Sequence, residues 1–94
     1  MADEVKMLKV RVAGKVQGVG FRLWTMHQAE QLGLDGYVRN EIDGSVSAVL
    51  SGGDQALATM LERLWDGPPG SSVSNVAYEE ETGADRPSGF RITR

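Results

Sequence analysis

The chain has 94 residues, 40% of them hydrophobic and 24% charged, enough for one small globular domain and too few for two. It contains no cysteine, which excludes disulfide frameworks, cysteine-ligated zinc and every cysteine nucleophile, and suits a reducing cytosol. The net charge of -3 is uneven, with six cations against four carboxylates in residues 1–40 and four against nine in residues 41–94; this acidic total argues against a nucleic-acid binder but leaves room for a small anion.

In chain order, Met1-Ala2-Asp3-Glu4-Val5-Lys6 carries no apolar signal region, and no later stretch approaches the ~18 apolar residues of a membrane span, so a soluble, cytoplasmic protein without membrane contact is expected. Leu8, Val10 and Val12 alternate with Lys9 and Arg11, the pattern of a strand with one wet face. After a glycine-rich loop, Phe21, Trp24 or Thr25, Gln28 or Ala29, and Leu32 recur at helical spacing until Gly33 stops the helix. Residues 36–40 and 45–50 are β-prone runs joined through Asp43-Gly44, a hairpin signal. Asp54 offers an N-cap ahead of Leu57, Met60, Leu61 and Leu64, and this second helix must stop before Pro68-Pro69. Val73, Val76 and Tyr78 suggest a fourth strand with a bulge, and Phe90 and Ile92 a short fifth; residues 52–53, 66–72 and 82–89 read as loops. The order β-α-β-β-α-β with a small fifth strand predicts an α+β fold, a ferredoxin-like sandwich in which both helices cover one face of an antiparallel sheet.

The chemistry points to two segments. In Gly14-Lys15-Val16-Gln17-Gly18-Val19-Gly20-Phe21-Arg22, three glycines in seven residues are costly unless the backbone needs tight or positive-φ geometry. Such a loop can aim successive N–H groups inward, the helix start adds unpaired N–H groups, and Arg22 could grip two phosphate oxygens. The segment reads as a phosphate cradle, although the glycines could instead make only a tight crossover with Arg22 solvated; neither Walker nor dinucleotide spacing is present. In the second segment, Gly36 to Val46, alternation puts Asn40 in line with Val38, where its amide could hold a water or else cap the Asp43-Gly44 turn.

Val12-x-Gly14-x-Val16-Gln17-Gly18-Val19-x-Phe21-Arg22 and Gly36-Tyr37-Val38-Arg39-Asn40-x-x-x-Gly44-x-Val46, ending at Gly52, resemble the two signature stretches of the acylphosphatases. The likeness extends to Leu32-Gly33-Leu34 and Phe90-Arg91-Ile92, nearly the whole chain. It implies a small metal-independent enzyme without cofactors that hydrolyses acyl phosphates, mixed carboxylic-phosphoric anhydrides, to carboxylate and phosphate. By motif, the resemblance assigns phosphate binding to Arg22 with backbone amides of Lys15, Val16, Gln17, Gly18, Val19, Gly20 and Phe21, and water orientation to Asn40. Some members have a hydroxyl residue after the asparagine, and others a glutamate where Ser47 stands; here those positions hold Glu41 and Ser47. The chemistry agrees, because an acyl phosphate has a good leaving group and needs mainly charge stabilisation and a water in line, without a strong base. The resemblance gives proton removal to the substrate's own phosphate.

His27, the only histidine, lies one position off the helical stripe and reads as a partly exposed residue. Glu79-Glu80-Glu81 alternates across a strand and reads as a solvated run rather than a metal site, and Phe21, Trp24, Trp65 and Phe90 read as core or core-edge packing. A free-standing monomeric domain spanning 1–94 is expected. Two rivals remain: a carbamoyl-phosphate module like those at the N-terminus of hydrogenase-maturation carbamoyltransferases, and a non-catalytic ligand-binding module on the same fold.

Overall fold

The computed structural model describes residues 5–82 and 85–93. The elements are β1 (Lys6–Lys15), α1 (Phe21–Gln31), β2 (Asp35–Asn40), β3 (Val46–Gly52), α2 (Asp54–Asp66), β4 (Ser72–Glu80) and β5 (Phe90–Ile92), in one sheet of order β4-β1-β3-β2-β5. Gly83 and Ala84 of the expected 82–89 loop lie outside the described residues, as do residues 1–4 and Arg94.

Period-two alternation in the strands sorts one apolar face from one wet face. Register places Val10 opposite Ala48 and Ala48 opposite Val38, and in the next row Val76, Val12, Val46 and Asn40 stand side by side. Over this face α2 lays Leu57, Met60 and Leu64, and α1 lays Phe21, Thr25 and Ala29, all buried. Lys9, Arg11, Arg39 and Glu79 occupy the opposite, exposed face. The ferredoxin-like sandwich expected from the element order is present.

The outermost strand changes the sheet from antiparallel to mixed, because β5 pairs with β2 in parallel. The reason is topological. The connection from β4 begins where Glu81 N–H donates to Met7 O and ends where Gly36 N–H donates to Gly89 O, at one end of the sheet. A strand entering from that end must run against β4 and with β2.

The predicted bulge lies in β4, where Val73 pairs with Gly14 and Asn75 with Ala13, leaving Ser74 as the extra residue. It brings Val73 onto the face of Val76, half-buried against the core. Gly14 is required there: its φ is 123°, and a Cβ would stand 2.2 Å from the Ser72 carbonyl oxygen. Tyr78 stays 59% exposed on this edge strand. In α2 the N-cap is Gly53 rather than Asp54, whose carboxylate lies in the first turn, 3.2 Å from Lys6 Nζ. There it acts through the helix dipole and an exposed ion pair. The stop at Gly33 holds, with Gly33 N–H on Glu30 O and Leu34 N–H on Ala29 O.

Candidate active site

β1, β2 and β5 run in the same direction, so their C-terminal ends meet at one end of the sheet. A cavity of about 190 Å³ opens there, lined by Val16, Gly18, Gly20, Phe21 and Arg22 on one side and by Asn40 on the other, with Leu23 and Ile92 completing the wall. Wider, more open hollows on the exposed sheet face, such as that of about 410 Å³ beside Lys9 and Glu79, bring together no comparable loop and amide.

Gly18 and Gly20 both take φ of 76°, a left-handed conformation that lets the loop double back without Cβ strain. Gly20 is also the N-cap of α1; no side chain caps this helix start and no acidic residue occupies its first turn. The first-turn N–H groups and the positive dipole end thus sit in the cavity wall without a competing carboxylate. Arg22 is half-buried in the same turn. Five of the loop residues singled out from sequence therefore line the cavity, whereas Lys15 is exposed at the end of β1 and Val19 packs against the core.

Asn40 is the last residue of β2, and its Oδ1 is buried with no hydrogen-bond partner among the described residues. The turn that follows is capped by Asp43, whose Oδ1 accepts from Ser45 N–H at 2.9 Å and Ser45 Oγ at 2.6 Å. The alternative left open by sequence, Asn40 as the turn cap, is not what the hydrogen bonds show. Asn40 lines the cavity, and a buried acceptor without a partner is costly to leave unpaired.

The side chain of Gln17 does something sequence reasoning missed. Its Nε2 donates to Glu41 O and to Ser45 O, both at 2.8 Å, fastening the loop to the turn immediately after Asn40. Partners 24 and 28 residues away leave no spacing signal; the only hint is a lone amide in a run of glycine and valine. Leu23 and Ile92 were also missed as cavity residues, Leu23 because it lies off the helix's apolar stripe and Ile92 because a three-residue edge strand carries little pattern.

Beyond the turn, Ser47 Oγ donates to Glu41 Oε2, which also accepts from Arg39 Nε at 2.8 Å. The Ser47 hydroxyl first, then Arg39, holds the Glu41 carboxyl below the ordinary carboxylate range, and Arg39 is raised in return by Glu41. Asp43 is likewise lowered, by Ser45. Glu41 and Ser47, where the sequence departs from the family pattern, are thus bonded to each other.

His27 is exposed on α1 and outside the cavity. Glu79 and Glu80 are exposed on β4, and no group of three His, Asp or Glu side chains among the described residues is placed to hold a metal ion. Phe21 is buried and meets Trp24 at 5.4 Å between ring centroids, tilted by 54°; Trp65 is half-exposed.

Fold and cavity together define a ferredoxin-like α+β sandwich with a cavity built on a glycine-rich strand-to-helix loop. The acylphosphatase family model matches residues 8–92. The chain is 55% identical to an acylphosphatase of Rhizobium meliloti over its full length and 99% of that protein. The structure of an acylphosphatase from Coxiella burnetii superposes with a TM-score of 0.89 at 42% identity, covering 95% of this chain and 93% of that one. That of an acylphosphatase from Bacillus subtilis gives 0.91 at 31% identity, covering 97% and 100%. The chain belongs to the acylphosphatase family.

Proposed function

We propose that this protein hydrolyses small acyl phosphates at the cavity formed by the 16–22 loop and Asn40. The phosphoryl group sits against the loop amides and the first turn of α1, with the Arg22 guanidinium on two of its oxygens. Asn40 Oδ1 accepts a hydrogen bond from a water and aims it at phosphorus, in line with the acyl oxygen. The water oxygen bonds to phosphorus, the acyl P–O bond breaks, and the carboxylate leaves with the bonding pair. A phosphate oxygen takes the water's proton, so no protein base is needed.

The observation that carries this reading is the meeting of Arg22, the glycine loop and Asn40 around one cavity, with Asn40 Oδ1 buried and without a partner among the described residues. We further infer a monomer acting in the cytosol, without nucleic-acid partners; the absence of cysteine supports the compartment and the acidic net charge the lack of nucleic-acid binding. No helix among the described residues is long and apolar enough to cross a membrane.

The test is a hydrolysis assay on acetyl, benzoyl and carbamoyl phosphate with phosphomonoesters as controls, before and after dialysis against EDTA. Turnover of the acyl phosphates that survives chelation and spares the monoesters is expected. Binding of inorganic phosphate without turnover of any acyl phosphate would make the domain a ligand-binding module. Preference for carbamoyl phosphate alone would make it a carbamoyl-phosphate module.

A further inference from the structure

The cavity has a second part that phosphate chemistry does not use. Leu23 follows Arg22 in the first turn of α1 and is 49% exposed; Ile92 ends β5 and is 38% exposed. Both open onto the same cavity as Arg22 and Asn40. The other large exposed apolar side chains, Val5, Ile42, Trp65 and Tyr78, do not line it. A single exposed apolar residue is ordinary, but two on separate elements, converging beside a polar site, form a surface that water covers poorly. Val16 and Phe21, also in the wall, are buried in the core and hold this surface in place.

Its charge is as informative as its polarity. Among the described residues lining the cavity, Arg22 is the only ionisable one, and in the proposed reaction it is occupied by the phosphoryl group. A carboxylate or second phosphate on the acyl chain would find no further counter-charge among these described lining residues. An alkyl or aryl chain would find Leu23 on one side and Ile92 on the other.

We propose that Leu23 and Ile92 form an acyl subsite that selects acyl phosphates with uncharged, apolar acyl groups. The inference rests on the hydrolytic reading above and specifies its substrate class. The subsite touches carbons remote from the breaking P–O bond, so it binds ground state and transition state alike. Selectivity then resides in KM, with kcat little affected by chain length. Burying a methylene is worth on the order of a threefold change in affinity, so four added methylenes in a half-open groove give roughly tenfold or more.

The experiment measures kcat and KM for acetyl, butanoyl, hexanoyl and benzoyl phosphate with wild type, Leu23→Gln and Ile92→Thr. In wild type, kcat/KM for hexanoyl phosphate should exceed that for acetyl phosphate by about tenfold, the difference lying in KM. In each variant the hexanoyl-to-acetyl ratio should fall at least about threefold, and in the double variant approach one. Glutamine suits an exposed helix position and threonine an edge strand; inhibition by inorganic phosphate, which uses the cradle alone, reports that each variant is folded. Equal kcat/KM across the four substrates in wild type, or a full preference retained in the double variant, overturns the acyl subsite while hydrolysis stands. Turnover of none of the four overturns the hydrolytic reading and the subsite with it.

Discussion

Arg22 and Asn40 face one cavity from different elements, and their chemistry predicts different kinetic defects. On the proposed reading, Arg22→Ala removes a charge-assisted, two-pronged donor to the ground-state phosphoryl group, one that tightens as charge shifts. It should weaken inhibition by inorganic phosphate and lower kcat/KM by about 10² or more, and Arg22→Lys should recover only part of this because an ammonium lacks the planar fork. Near-normal kinetics in folded Arg22→Ala would move the phosphate site elsewhere. Asn40 is expected to hold the water and contribute little to phosphate affinity. Asn40→Ala should therefore lose about 10²–10³ in kcat, roughly 2.7–4 kcal/mol, with phosphate inhibition nearly that of wild type. Because Asp43 already caps the turn, its denaturant midpoint should move little. A lower midpoint with normal turnover would make Asn40 a structural residue.

At the scale of elements, the site depends on how the loop before α1 is held against the β2–β3 turn. The two hydrogen bonds from Gln17 make that connection. Both acceptors keep a backbone donor without it, Gly44 N–H on Glu41 O at 3.2 Å and Glu41 N–H on Ser45 O at 2.8 Å. Gln17→Leu therefore leaves no carbonyl stranded, and the stability loss should be about 1–2 kcal/mol, read from the urea midpoint. Its larger effect should be on turnover, since a small drift between loop and Asn40 spoils the in-line geometry: a kcat loss of about tenfold is expected. An unchanged kcat at lowered stability would show the fastening to be structural only. Much of this level is legible in the chain itself. The alternation of Leu8, Val10 and Val12, the spacing of Leu57, Met60 and Leu64, and the Asp43-Gly44 turn each give an element by local periodicity. Asp54 shows the limit of such reading, since a good capping residue stands one position inside the helix while the adjacent glycine takes the cap.

Across the whole molecule, acid stability should reflect the turn beside the site. Glu41 and Asp43 have folded pKa values below the ordinary carboxylate range, so the unfolded chain takes up their protons first as pH falls. The stability they contribute is present above the unfolded value of about 4 and is lost as pH drops through the lowered folded values. Urea midpoints measured from about pH 7 down to pH 3 should fall on the acid side, and the fall should be shallower in Glu41→Gln. An equally steep fall in that variant would place the acid sensitivity on other carboxylates.

Sequence alone determined the element order, the apolar face of each strand and helix, the glycine-rich loop leading into Arg22, and Asn40 in line with Val38, because each is written in residues adjacent or at fixed short spacing. It also carried the family likeness, through two runs of residues at fixed short spacing. Tertiary structure decided what depends on distant partners. It set β5 parallel to β2, because the connection from β4 starts and ends at one end of the sheet. It turned Gln17 to carbonyls 24 and 28 residues away, and it brought Leu23 and Ile92 to one cavity from opposite ends of the chain. Local periodicity specifies which face a residue takes; only the closing of the sheet and helices over one another specifies which residue it meets there.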